Sequence, residues 1–486
     1  MATLTGMIRT LPAAVLLTAA ALSTAPPAPA AQAGPVQAGT AQAGTVRAET
    51  AQAETVQAET AQAAVTRATA SGGACARITS PPSESAPPTS VNTLRQAYEC
   101  VLDNYYGGPA LDPRVLLRDA LSAYTRELMR RGADKPGLRL PALTGNRESD
   151  WAAFAGMIGA GDPDALHAAI TGMVAGLHDD HAGVEKITPP PEGGPVGTGI
   201  AGLSAAQGPR LDPAARPPLF ITRVLPGSPA DKAGIRPGDI IEKADGVPAF
   251  IGNTVNQSLA DVFASHTVRL TLRRPTTGRV RTVTLTEGPL QEQERAVTSK
   301  KLPGGVTYVA VPGFFQGVAD QVIAALKGTS KAAVIDLRGN GGGSPREVTR
   351  LLGAFAHGKV TSYFCPFTGD CTANRTDDTV PLLGLRLVVL TDRACASACE
   401  DFSAAVKDNG LGTLVGTRTA GAVSGPAEAY LLDDNSVLLL PRVRHLGPAR
   451  EIIDTVGVPV DHYAPMTALD LAKGRDPGLA KALSLL

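Results

Sequence analysis

The sequence predicts an α/β multidomain chain in which an N-terminal helical region precedes a β-rich module and a C-terminal α/β domain. Three observations carry this. Between 91 and 188 apolar residues recur at helical spacing, as in Leu94, Tyr98, Val101 and Leu102, and again in Leu166, Ile170, Met173, Val174 and Leu177. Across 194–290, after the break Pro189-Pro190-Pro191, short strand-like runs are separated by Gly and Pro turns. From 295 to 486 apolar strands (Val306 to Val311, Ala332 to Leu337, Leu387 to Leu390, Val437 to Leu440) alternate with helical stretches, the pattern of an α/β layer architecture. A chain of 486 residues is long enough for several such units plus tails.

The N-terminal region adds two segments to this plan. Residues 1–30 read as an export signal: Arg9, an apolar stretch from Leu11 to about Leu22, then Ala28-Pro29-Ala30 as a small-x-small cleavage site. Residues 31–90 read as a low-complexity linker, because pentads such as Ala51-Gln-Ala-Glu-Thr55 and Val56-Gln-Ala-Glu-Thr60 offer too little apolar surface to offset the entropy of ordering. Export implies an extracellular location, and no later segment is apolar enough for a membrane span. Lys plus Arg equals Asp plus Glu at 45 each, which argues against an electrostatically driven nucleic-acid partner. Six cysteines in an exported chain favour disulfides. Proximity suggests Cys75 with Cys100 and Cys365 with Cys371, leaving Cys395 and Cys399 as a pair or as free thiols. Their spacing does not resemble a zinc quartet, and no metal or organic cofactor is indicated.

In the middle segment, Leu219 to Val224 reads as a strand, Ser228-Pro229-Ala230 as a helix start, Gly234 as its stop, Pro237-Gly238-Asp239 as a turn, and Ile240 to Ala244 as a second strand. This pattern resembles a PDZ domain of the bacterial protease type. Ahead of it, Gly197, Thr198, Gly199 and Ile200 resemble the loop whose amides receive a peptide's terminal carboxylate in that family. An open strand edge beside such amides captures an extended peptide by strand addition.

Two strand ends carry the candidate chemistry. The buried strand from Val334 runs into Gly339-Asn340-Gly341-Gly342-Gly343, where missing side chains let backbone amides approach a ligand. The P-loop Lys-Ser/Thr ending is absent, which sets a nucleotide aside. Further on, the strand Leu387 to Leu390 leads through Cys395-Ala396-Ser397-Ala398-Cys399-Glu400 into a helical pattern. A Ser on such a turn sits at the positive end of a helix, with the amide of Ala398 facing a developing oxyanion.

Asp336 to Gly343, Ala396 to Glu400 and Ile453 to Val458 are similar to successive motifs of C-terminal processing (tail-specific) serine peptidases, and the similarity covers roughly Val91 to Leu486. The resemblance implies a C-terminal catalytic domain of the ClpP/crotonase-like type, Ser397 as nucleophile, and an oxyanion hole from Gly342 or Gly343 with Ala398. It also implies hydrolysis of polypeptides. One departure matters: the processing branch activates its Ser with a Lys, and Ala422 stands at the matching place. The tricorn-like branch of the superfamily uses a His instead, and Leu177-His178-Asp179-Asp180-His181 resembles its Asp-x-His-Thr segment. That implies His181 as general base, with His178 as the local competitor. Asp454 is the implied acidic partner, with Glu400 and Asp461 as alternatives. A peptide-binding adaptor without catalysis is the rival reading, since a Ser without a base is a poor nucleophile.

Overall fold

The computed structural model describes residues 75–77, 86–186, 196–207, 210–263, 265–290, 296–329 and 331–486. The expected export signal and pentad repeats lie outside the described residues.

Each helix of the first region starts where the sequence supplies a cap. Helix α1 (Val91–Asn104) opens with a capping box: the Ser90 hydroxyl accepts from the Thr93 amide while the Thr93 side chain accepts from the Ser90 amide. Helix α2 (Pro113–Arg130) is capped by Asp112, α3 (Arg147–Ile158) by Asn146 and α4 (Pro163–Ala175) by Asp162, with proline in the first turn of α2 and α4. Their apolar faces do not close on one another alone. The core around Leu94, Tyr98, Leu117, Phe154 and Leu166 is completed by Tyr430, Leu432, Leu438 and Leu440. These come from an antiparallel hairpin (Ala427–Leu431 with Ser436–Pro441) flanked by Ala76–Arg77 on one edge and Gly183–Lys186 on the other.

Two expectations change as a result. The strand at Val437 belongs to the sheet over the helical core, not to the α/β layer, because its apolar residues face the helices. The linker reading of 31–90 fails at its end, where Ala76–Arg77 pairs with Tyr430 and Leu431 and Cys75 is bridged to Cys100.

The β-rich module centres on Thr267–Arg273, paired with Val280–Thr286 and Ile240–Ala244, over a core that includes Leu219, Ile221, Ile241, Phe263 and Leu270. The C-terminal region is built on a six-stranded sheet. Strand β1 (Thr298–Leu302) runs antiparallel to β2 (Val306–Ala310); β3 (Ala332–Asp336), β4 (Arg386–Thr391), β5 (Gly412–Gly416) and β6 (His462–Tyr463) continue parallel to β2 in that order. Residues of β3 are all buried, as expected of a parallel strand covered on both faces. Helices α5 (Val318–Leu326), α6 (Pro345–Gly353) and α7 (Ala398–Asp408) pack their apolar residues on the sheet with Phe314, Ile335 and Val389. The glycine-rich loop and Ser397 thereby follow the C-terminal ends of the adjacent strands β3 and β4, where open parallel sheets hold their ligands.

Cys75–Cys100, Cys365–Cys371 and Cys395–Cys399 all form disulfides. Among the described residues no helix is long and apolar enough to cross a membrane.

Candidate active site

Ser397 occupies a backbone conformation that L-residues rarely adopt, with φ 56° and ψ −126°. It stands at the N-cap of α7, yet its hydroxyl makes no capping bond. The side chain is thus held out of its usual capping role on a strained strand-to-helix turn. Its Oγ lies 3.2 Å from Nε2 of His181, a residue 216 positions earlier in the chain.

The glycine-rich loop meets this turn directly. Gly342 has φ +104°, and a Cβ there would lie 2.6 Å from the Ser397 Cβ and 3.0 Å from the Ala398 amide nitrogen. Asn340, fully buried, fixes the loop: its Nδ2 donates to Val311 O, its Oδ1 accepts from the Gly342 amide at 2.8 Å, and its carbonyl accepts from the Ala396 amide. The Gly342 amide is therefore engaged, and of the amides expected to face an oxyanion, those of Gly343 and Ala398 carry no such side-chain bond.

Ala422 is buried where the processing branch has its lysine, and it acts through its backbone. Its carbonyl accepts from the Ser397 amide at 2.9 Å, while its own amide donates to Glu400 Oε2 at 2.7 Å. Glu400 also accepts from the Thr419 hydroxyl at 2.5 Å and the Gly421 amide at 2.6 Å. Burial pushes this carboxyl up to about 7, against the pull of those donors. Glu400 is thus a tie between α7 and the 419–422 turn, not a partner of the imidazole. Asp461, the other alternative acid, pairs with Lys407 and the Leu414 amide. His178 is exposed and contributes nothing to the pair.

Asp179, absent from the expected set, organises the segment that carries His181. It is buried; Oδ1 accepts from the His181 amide at 2.9 Å, and Oδ2 accepts from Tyr105 at 3.1 Å and from the Ser424 hydroxyl at 3.0 Å. Burial holds the His181 imidazole below its ordinary range, opposed by the charges of Asp179 and Asp180 and reinforced by His445. The Ser424 amide donates to His181 Nδ1 at 3.2 Å. An accepting Nδ1 puts the proton of the neutral ring on Nε2, from which it donates toward Ser397. Accepting the serine proton requires the other tautomer.

Among the described residues the ring's hydrogen-bond partners are Ser397 and Ser424, so Asp454 stands apart from it. Burial, then the charges of Asp179 and Asp180, push Asp454 up to about 6, while the Val423 and Thr455 amides oppose the shift; among the described residues its buried Oδ1 has no hydrogen-bond partner. In the β-rich module, Val196–Gly197 pairs with Gly288–Pro289, the carbonyls of Thr198 and Gly199 accept from the Ala230 and Leu225 amides, and the strand Ile200–Leu203 pairs with Ile221–Val224. Among the described residues no cluster of His, Cys, Asp and Glu is arranged to hold a metal ion.

A serine presented beside an imidazole, at the strand ends of an α/β sheet and next to a glycine-rich loop, defines the serine-hydrolase class of site. Residues 305–464 match the model of peptidase family S41, and 220–274 match that of the PDZ domain. The chain thus carries a peptidase S41 domain preceded by a PDZ domain. It is 30% identical over 290 residues to the carboxyl-terminal-processing peptidase 2, chloroplastic, of Arabidopsis thaliana, covering 56% of this chain and 53% of that one. It is 28% identical over 270 residues to a carboxyl-terminal-processing protease of Picosynechococcus sp., covering 52% and 62%. The chain thus spans less than two thirds of the length of these relatives. The solved photosystem II D1 C-terminal processing protease aligns with a TM-score of 0.46 at 22% identity, over 73% of this chain and 93% of that one.

Proposed function

We propose that this chain is an exported serine peptidase that cleaves polypeptides through Ser397, with His181 as general base and no lysine. The observation that carries the reading is the 3.2 Å contact between Ser397 Oγ and His181 Nε2, made by a serine at positive φ whose hydroxyl caps nothing. His181 takes the serine proton as Ser397 attacks a peptide carbonyl, and the amides of Ala398 and Gly343 hold the oxyanion. The imidazolium gives that proton to the departing amine as the peptide C–N bond breaks, and water, deprotonated in turn by His181, then attacks the acyl-enzyme, releasing the new carboxylate and restoring Ser397. Turnover requires the Ser424 amide to leave Nδ1 so that the ring carries its proton there. Asp454, bonded to the amide next to Ser424, is the carboxylate suited to take that place, while Asp179 stabilises the imidazolium through its charge. The PDZ module captures the substrate chain by strand addition at Gly197–Ile200.

The resting tautomer favours a second reading, a peptide-binding adaptor with a silent site. Incubation of the protein with an unstructured polypeptide, with fragments read by mass spectrometry, decides between them. Cleavage lost in Ser397→Ala and His181→Ala supports the peptidase. Fragmentation equal in wild type and Ser397→Ala refutes it and leaves the adaptor. Asp454→Asn is expected to lower kcat at unchanged KM, and amidating the substrate C-terminus to raise KM.

A further inference from the structure

We propose that the Cys395–Cys399 disulfide is a positioning element of the nucleophile, clamping the turn that presents Ser397. The inference rests on the peptidase reading for its kinetic consequence but not for its structural one.

The two cysteines bracket Ser397 at two residues on either side, with Cα atoms 5.4 Å apart and neither side chain exposed. Cys395 lies in the loop after β4, and Cys399 lies in the first turn of α7. The bridge therefore joins the strand side of the turn to its helix side across the residue with φ 56°. A non-glycine residue in that region persists only when its surroundings over-determine it. The other restraints are hydrogen bonds, among them Ala396 N to Asn340 O, Ser397 N to Ala422 O, Glu400 N and Asp401 N to Ser397 O, Cys399 N to Ala396 O and Ala420 N to Cys395 O. The disulfide is the one covalent restraint among them.

Its span argues for a local role. Loop-closure entropy removed from the unfolded chain grows with the length of the closed loop, so a bridge over four positions does less for global stability than Cys75–Cys100 over 25. The short bridge instead acts where it is most effective, on the dihedrals of the residues inside it. Those residues are Ala396, Ser397 and Ala398, the nucleophile and its two neighbours, one of which supplies an oxyanion amide.

The test compares Cys395→Ala/Cys399→Ala with Cys75→Ala/Cys100→Ala in the full chain, well below either melting temperature. Loss of the clamp is expected to lower kcat, and the rate of Ser397 labelling by a fluorophosphonate, by about 10- to 100-fold at nearly unchanged KM. Loss of Cys75–Cys100 is expected to lower the melting temperature more and these rates less. Amide exchange across 395–403 is read on the same proteins and reports the turn whether or not the chain cleaves anything. It is expected to quicken in the first variant and not in the second. Unchanged exchange across 395–403, or, where the wild type labels, a variant labelling rate equal to it, overturns the clamp. A wild type that neither labels nor cleaves, but whose 395–403 exchange quickens without the bridge, sinks the peptidase reading and leaves the structural clamp standing.

Discussion

Glu400 is buried with its carboxylate shared by the Thr419 hydroxyl and the Gly421 and Ala422 amides, and replacing it with glutamine separates its effect on stability from its effect on the site. Burial raises the carboxyl from 4.5 to about 7. Because the folded value lies above the unfolded one, the stability this group supplies is complete below about pH 4.5 and is lost as pH rises through about 7. At about 1.4 kcal/mol per pH unit the loss across that window is about 3 kcal/mol. Glutamine cannot lose a proton, so Glu400→Gln removes this pH dependence: its NH2 facing a backbone N–H is expected to leave it less stable than wild type near pH 5, and it gains on wild type by up to about 3 kcal/mol between pH 5 and pH 8. Activity moves the other way. The side-chain NH2 that Glu400→Gln introduces is a donor and cannot replace a carboxylate oxygen that accepts from a backbone N–H. The turn that holds Ser397 through Ala422 O and His181 through Ser424 N therefore loses a tie, and kcat at pH 8 is expected to fall about 10-fold. Thermal melts at both pH values and steady-state kinetics on one polypeptide read both effects. A stability difference between variant and wild type that does not shift toward the variant from pH 5 to pH 8, or a variant with unchanged kcat, refutes the reasoning.

Gly342→Ala places a methyl 2.6 Å from the Ser397 Cβ, and is expected to cut kcat by about 100-fold or more with the circular dichroism spectrum unchanged. Burial keeps His181 below the ordinary imidazole value of 6.5, so the acidic limb of kcat/KM is expected to have its midpoint below that value. Asp180→Asn removes a charge that raises the ring and moves this limb further toward acid; a wild-type midpoint above about 7 contradicts the assignment. Cys75→Ala/Cys100→Ala opens a loop of 25 positions and is expected to cost about 3 kcal/mol in chemical denaturation.

What the sequence made legible was local. Strands β3 and β4, the glycine-rich loop after one and the Ser397 turn after the other are each contiguous stretches whose period and punctuation can be read directly. What stayed hidden depends on contacts between distant segments. Nothing around Ser424 announces that its amide reaches His181, 243 positions away. Asn340 looks like one polar residue among glycines until its side chain is seen to satisfy the Gly342 amide and the Val311 carbonyl. Glu400 is a candidate acid by its neighbourhood in sequence, and only its three donors reveal a tie between helix and turn. Asp179 carries a hint, since it opens the Asp-x-His segment, but its ties to Tyr105 and Ser424 require the helices and the 419–424 segment to be assembled.

The same contacts explain why the helical region and the α/β domain share a core. With alanine at 422 the turn supplies backbone bonds and no base, and in the proposed mechanism the base is His181, outside the segment that carries Ser397. Two partners brought from separate regions hold a 3.2 Å contact only if those regions cannot shift against each other. The strand Gly183–Lys186 begins two residues after His181 and pairs with Ser436–Leu439, and the hairpin that contains this partner begins at Ala427, three residues after Ser424. Tyr430, Leu438 and Leu440 of that hairpin then sink into the core of α1, α2 and α4. Residue 181 and residue 424 are thus each anchored, within a few residues, to one sheet whose other face is the helical core. The segment 305–464 on its own keeps Ser397, Glu400 and the glycine-rich loop but loses both the imidazole and the surface that seats its hairpin.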